Sequence, residues 1–300
     1  MTLTHVTDNF RQNRLAYIYI LPAFAVMGFV VIYPFIYNFV ISLSNMSLTH
    51  FKDWRVIGLG QYVKVFSEPR FYTTFLYTLV WTVLNVFFHV VIGVGLALLL
   101  NRPLKGRAIF RALLILPWAL PQYITALTWR GMFNYRYGAV NLILNKYFGV
   151  APIEWLSTPL GAFFACLITN IWLGFPFMMV IALGALQSIP AELYEAADID
   201  GADWWKQLWS VTVPLIKPVM VPAITLGVIW TFNNFNVIWL VSDGGKPADA
   251  THILVSYVYR EVFNYYRYGY AAALSLVIFG ILLIFGVRYI RGTKATEGVY

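Results

Sequence analysis

QSIPAELYEAADIDGADWWKQLWSVTVPLIK, residues Gln187 to Lys217, is too long and too patterned to be a simple connector between the two apolar segments that flank it. Ser188 and Pro190 read as a helix start, and Glu192 sits early in the first turn, where a carboxylate favours the positive end of the helix dipole. Leu193, Ala196, Ala197 and Asp200 then share one face at spacings of three and four, and the paired alanines keep that helix slim. Gly201 supplies either a stop or a left-handed turn. Beyond it, Trp204, Trp205, Leu208, Trp209 and Val211 to Val213 form a second amphipathic stretch that ends at Pro214. Its composition suits a membrane surface.

The rest of the chain agrees with a membrane setting. Of its 300 residues 60% are apolar, 18% aromatic and only 11% charged, and the mean hydropathy is +0.69. Soluble chains carry about 25% charge, so this one lacks the polar surface to coat a globule. A hydrocarbon core about 30 Å thick needs roughly 20 apolar residues in helical form. Six segments meet that length: Leu15 to Ser44, Phe71 to Leu100, Ala108 to Trp129, Pro159 to Gln187, Pro218 to Val241 and Gly269 to Ile290. Arg11 and Arg14 precede the first as in a signal peptide, but its apolar run is too long and lacks a small-residue cleavage site, which makes it a retained anchor. The expected organisation is a tail over 1–14, a six-span domain over 15–291 containing the loop 188–217, and a tail over 292–300.

No Asp, Glu, Lys or Arg falls within the apolar interiors of these spans, which removes the charges that proton-coupled carriers and voltage-gated channels use. His89 is the one titratable group at depth, read as a neutral histidine hydrogen-bonded between helices. Pro117, Pro121 and Pro176 interrupt the third and fourth spans; interrupted helices border cavities more readily than lipid, and a packed kink is the alternative reading of any one proline. The net charge of +8 comes from scattered residues with no single basic face, which argues against nucleic acid. Charge density favours a cytoplasmic N-terminus, because Arg102, Lys105, Arg107 and Arg111 crowd one short connection. The single cysteine, Cys166, and four dispersed histidines provide neither a disulfide nor a metal motif. The acids between Glu192 and Asp203 have no histidine beside them, so they read as a solvated docking surface and not as catalytic groups.

Glu195, Ala196, Ala197, three residues, Gly201, nine residues, then Val211, Thr212, Val213 and Pro214 resembles the EAA loop of ATP-binding-cassette importer permeases. TNIWLGFPFMM (Thr169 to Met179), TFNNFNVIWLVSDGGKP (Thr231 to Pro247) and LLILPWALP (Leu113 to Pro121) narrow the resemblance to the carbohydrate branch, and there to the larger membrane subunit of maltose importers. The large insert found between early spans of some members is missing, with only 27 residues from Asn45 to Phe71 in its place, and SDGGKP carries an additional Lys246. The resemblance implies an all-α type I importer fold in the inner membrane. It makes Glu195, Ala196, Ala197, Asp200 and Gly201 the coupling helix that docks on a cytoplasmic ATPase. It further implies a second permease subunit, two ATPase subunits that hold the ATP and Mg, and an extracytoplasmic sugar-binding protein. The chain itself would then be non-catalytic and hold no cofactor, and it has no GxxxxGK[ST] loop to cradle phosphates.

Amides, hydroxyls and aromatics are the polar groups inside the spans, a set suited to a neutral polyol. Asn170, Gly174 and Phe177 repeat at i, i+4, i+7, as do Gly227, Thr231 and Asn234 on the fifth span, so that each triplet defines one helical stripe. By resemblance to the maltose permease, Asn170, Leu173, Gly174, Phe177, Gly227, Thr231 and Asn234 contact the sugar. Each asparagine has an alternative role as interhelical glue. Trp172, Trp230 and Trp239 read as packing or interface residues. The rival function is a self-contained secondary transporter or channel for a neutral solute, which lacks intramembrane charge and an evident inverted repeat.

Overall fold

The computed structural model describes residues 14–247 and 249–292, and the expected tails lie outside these apart from Arg14 and Gly292. Among the described residues all regular structure is helical, with one isolated β-bridge between Ser44 and Val56. Among the described residues, five helices are long and apolar enough to cross a membrane: Tyr17–Ser42, Pro69–Asn101, Pro159–Gln187, Trp204–Val241 and Tyr268–Tyr289. A sixth span exists if Arg107–Ala119 and Gln122–Met132 count as one. This corrects the continuous third span expected over 108–129. The two pieces are bent by 94° at Leu120 and Pro121, because Pro121 has no N–H to continue the ladder and its ring excludes helical torsions from the residue before it.

The chain divides into two compact units, one of residues up to 67 with 261–277, the other of 68–260 with 278 onward. In the first, α1 (Arg14–Met27) and α2 (Tyr33–Ser42) are joined by a π-helical turn over Gly28–Ile32. Pro34 accounts for that turn, since the missing donor frees a carbonyl one turn back. Phe29, Tyr33 and Tyr37 stack in succession along the surface at 6.0 and 6.3 Å. Gln61, on α3 (Gly60–Ser67), donates to the Ser44 carbonyl at 2.8 Å. The Gly269 N–H donates to the Met46 carbonyl at 2.8 Å.

The second unit is built on α4 (Pro69–Asn101), followed by the bent pair α5 (Arg107–Ala119) and α6 (Gln122–Met132), then α7 (Ala139–Phe148) and α8 (Pro159–Gln187). α9 (Ala191–Ile199) and the single turn α10 (Trp204–Gln207) form the long loop. A π-helical turn over Leu208–Thr212 leads into α11 (Val213–Phe232) and α12 (Phe235–Val241). That turn also lies just before a proline, Pro214, which repeats the Pro34 arrangement. α4 and α8 run in close contact, since a Cβ on Gly93 would lie 2.7 Å from the Met178 Cβ. Two apolar clusters hold the unit together. Trp81, Phe163, Cys166 and Val237 lie in one, and Ala97, Met178, Met179, Leu183 and Met220 in the other. Each fully buried large side chain contributes roughly 1.5–3 kcal/mol where water is the alternative, whereas against lipid the gain comes from packing density.

Between α12 and α13 (Leu254–Phe263), the loop is tied by Asp243 to Arg130 at 2.9 Å and to Lys246 at 2.7 Å, and by Asp249 to Arg260 at 2.7 Å. The Lys246 ammonium, with Arg130 behind it, holds the Asp243 carboxyl below its usual range. α14 (Tyr268–Gly292) closes the described chain.

Candidate functional site

The breaks in two helices open a cavity of about 470 Å³ in the second unit. One break is the bend between α5 and α6. The other ends α11 at Phe232, where Asn234 starts α12 by accepting the Val237 N–H on its Oδ1 at 3.2 Å. A short polar side chain at this position satisfies one of the free donors of the new helix. Asn234 therefore does not continue the helical stripe of Gly227 and Thr231, as its i+7 spacing suggests, but reaches the same cavity as the cap of the next helix. Asn170, Leu173, Gly174, Phe177, Gly227, Thr231 and Asn234 all line this one cavity, together with His89, Trp118, Gln122, Trp230 and Asn236. No Asp, Glu, Lys or Arg is among its lining residues.

Side-chain hydrogen bonds link much of the cavity wall. Asn234 Nδ2 donates to Asn170 Oδ1 at 2.6 Å, Gln122 Nε2 to Asn234 Oδ1 at 3.2 Å, and Asn236 Nδ2 to Gln122 Oε1 at 3.0 Å. His89 Nε2 donates to the Asn170 carbonyl at 2.9 Å, which makes it the interhelical histidine expected from the sequence. Trp81, fully buried, donates from Nε1 to the Thr231 carbonyl at 2.9 Å. The glycines serve approach: a Cβ on Gly174 would meet the His89 ring at 2.3 Å, and one on Gly227 would meet the Met178 methyl at 2.5 Å. Phe177 stands between Trp118 and Trp230, with ring centroids at 6.1 and 5.1 Å. Such a wall offers hydrogen-bond donors, acceptors and aromatic faces without charge.

The second site is the loop between α8 and α11. α9 buries none of its residues, and Ile199 at its end is 88% exposed. Glu195, Ala196 and Asp200 are exposed, and Ala197 is half-buried. Gly201 has φ +72°. The Ala202 N–H returns to the Ala197 carbonyl at 2.9 Å and the Gly201 N–H to that of Asp198 at 3.0 Å, the Schellman pattern that a left-handed residue completes. The helix is fastened to the bundle by the Tyr194 hydroxyl, 3.0 Å from Thr212 Oγ1, and by Gln207, which donates to Asp198. A slim helix is thus held out from the membrane domain on a short, rigid mount.

Residues 89–292 match the family model of the binding-protein-dependent transport system inner membrane component. The chain belongs to that family. It is 38% identical over 285 residues, 94% of each chain, to the trehalose/maltose transport system permease protein MalF of Thermococcus litoralis. It is 34% identical over 289 residues to the galactooligosaccharides transport system permease protein GanP of Bacillus subtilis, covering 91% of this chain and 69% of that one. Among solved structures, a chain of a bacterial ABC transporter involved in the import of the acidic polysaccharide alginate superposes with a TM-score of 0.82 at 21% identity. The match covers 97% of this chain and 98% of that one, and it is a likeness of fold. This permease accordingly has the all-α, multi-pass architecture of a type I ABC importer subunit, and it is a non-catalytic one.

Sequence reasoning missed several lining residues of the permease, among them Trp118, Gln122 and Asn236. Gln122 and Trp118 flank the Pro121 bend, and the signal lay in LPWALPQ, whose second proline breaks the helix. Asn236 gave none, because its position depends on the break at Asn233 and Asn234. Trp230, read as packing, is 53% exposed and lines the cavity, whereas Trp172 and Trp239 do pack, against Trp129 at 5.8 Å and Tyr259 at 4.6 Å.

Proposed function

We propose that this chain is the transmembrane permease subunit of an ATP-driven importer of neutral sugars of the maltose, maltodextrin or other oligosaccharide type. The observation that carries this reading is the cavity of about 470 Å³, walled largely by amides and aromatic rings, with His89 and Thr231 among its lining residues and no Asp, Glu, Lys or Arg. Its volume is within the range of about 300–1,000 Å³ usual for small-molecule sites. Sugar hydroxyls exchange bonds with water and with such amides at little net cost, while the apolar faces of the rings lie on tryptophan and phenylalanine. The names of the relatives, trehalose/maltose and galactooligosaccharide permeases, support the same class of solute.

In this reading Asn170, Leu173, Gly174, Phe177, Gly227, Thr231 and Asn234 contact the sugar, and Glu195, Ala196, Ala197, Asp200 and Gly201 form the surface that meets an ATPase. One permease chain supplies half of the pathway. A second permease completes it, two ATPase subunits bind ATP and Mg, and an extracytoplasmic binding protein delivers the solute. Both termini are cytoplasmic, which puts the mounted helix α9 on the ATPase side. ATP-driven closure of the ATPases draws the coupling helices together and opens the cavity outward, and hydrolysis resets it. The test is uptake by the assembled importer in proteoliposomes with radiolabelled maltose, trehalose and a uronic-acid disaccharide. ATP-dependent uptake of a neutral sugar and none of the acidic one is expected. Uptake of the acidic sugar alone, or solute movement without ATP, would overturn the reading.

A further inference from the structure

Four of the five amides that line the cavity form a chain with a single direction. Asn236 Nδ2 donates to Gln122 Oε1, Gln122 Nε2 to Asn234 Oδ1, and Asn234 Nδ2 to Asn170 Oδ1. A carboxamide has its acceptor at one end and its donors at the other, so turning one member over reverses its bonds to both neighbours. The direction is set at Asn234. Its Oδ1 also takes the Val237 N–H at 3.2 Å, and a backbone N–H is only ever a donor. That bond and the one from Gln122 are both long, so neither alone holds the amide firmly. The far end of the chain is Asn170 Nδ2, which is buried and has no partner, although the residue is only 3% exposed. A donor left in this condition is costly, and an acceptor arriving in the cavity relieves it.

We infer that Gln122 is a positioning residue for the solute: together with the Val237 N–H it holds the direction of the amide chain so that Asn170 presents hydrogen-bond donors, and the cavity thereby takes a hydroxyl or ring oxygen at that point. The inference rests on the cavity being the sugar site. Gln122 acts through Asn234 and Asn170 and need not touch the sugar itself. Replacing it by glutamate gives an internal control. A neutral carboxyl group donates from O–H to Asn234 and accepts from Asn236, as the amide does. A carboxylate only accepts, so it opposes Asn234 Oδ1 and favours the reversed chain. Lowering the pH protonates the glutamate and so restores the missing donor within one and the same protein.

The experiment measures equilibrium binding of radiolabelled maltose, trehalose and maltotriose to the purified, assembled importer between pH 5 and 8. Wild type, Gln122→Glu, Gln122→Met and Asn170→Ala are compared. The wild-type profile carries any contribution of His89, the one titratable side chain among the described lining residues. Gln122→Glu is expected to bind about tenfold more weakly at pH 8 and to recover most of that by pH 5, while Gln122→Met stays weak throughout. Equal weakening of both variants at every pH would make Gln122 simple interhelical glue and overturn the inference. Normal binding by both, with Asn170→Ala impaired, would overturn it too and leave the sugar site standing. Failure of the wild-type importer to bind any of the three sugars would remove the sugar reading and this inference with it.

Discussion

The imidazole of His89 occupies the space that a side chain on Gly174 would fill. A Cβ there would lie 2.3 Å from Nε2, the atom that donates to the Asn170 carbonyl at 2.9 Å. α4 and α8 are thus keyed together at cavity level by one missing methyl group. Gly174→Ala must push the ring aside and break its bond, an overpacking change of about 1–3 kcal/mol. The purified complex should melt at lower temperature and lose sugar uptake together. In a His89→Ala background the same change should cost much less, because the atoms it meets have gone. Additive melting shifts would show that the contact is not the cause.

Asn234 serves at once as cap, as interhelical partner and as cavity wall, so the choice between solute contact and glue posed by the sequence is a false one. Asn234→Ala removes the acceptor for the Val237 N–H and the donor for Asn170. It should lower stability by about 0.5–2 kcal/mol for the cap alone. Asn234→Ser keeps a capping oxygen but is too short to bridge to Asn170. Its melting temperature should stay near wild type while sugar binding weakens. If serine melts as low as alanine, the cap is not what stabilises this break.

The loop between α8 and α11 was legible in the sequence because its determinants are local: Pro190 starts the helix, Gly201 ends it with φ +72°, and the fastening residues are within a few turns. Five of the six expected spans were legible from hydropathy alone, the bent third being the exception. The cavity was legible only in part. Periodicity carried Asn170 and Phe177 correctly along α8, but it treated the fifth span as unbroken, and a helical stripe cannot foresee a break that re-aims Asn234 and Asn236. Gln122 and Trp118 depend on a 94° bend whose size no proline spacing dictates, since Pro117 and Pro176 lie within helices that continue past them. Contacts set by tertiary geometry, such as His89 on Gly174, leave no local pattern to read.

Gly201 has open space around it, so only its torsion constrains the choice of residue. Gly201→Asn should retain most of the ATPase stimulation by loaded binding protein, because asparagine tolerates left-handed torsions, whereas Gly201→Val should lose most of it. Gly201→Pro should be worst, since it also deletes the N–H bonded to Asp198. Glu195→Ala should act more mildly, as the loss of one charge-assisted contact at a protein interface. Equal stimulation in the asparagine and valine proteins, at matched expression, would mean that the turn is not what the coupling needs.

His252 gives the loop after α12 a pH dependence. Its ring is fully buried, with Nδ1 3.1 Å from Ser256 Oγ and Nε2 unpartnered, 3.6 Å from Asp249 Oδ1. Burial lowers its pKa from 6.5 to about 4, the Arg260 charge adds to that and Arg70 adds less, while Asp249 opposes them. In the unfolded loop the ring takes up its proton near pH 6.5, but in the folded loop only near pH 4. The unfolded form therefore binds more protons between these values, and stability falls as pH falls through that window. Hydrogen exchange of residues 242–253 in the assembled importer should accelerate progressively from pH 6.5 towards 4, after correction for the intrinsic exchange rate. In a His252→Gln protein that corrected acceleration should be absent. The same acceleration in both proteins would mean that the histidine is not its cause.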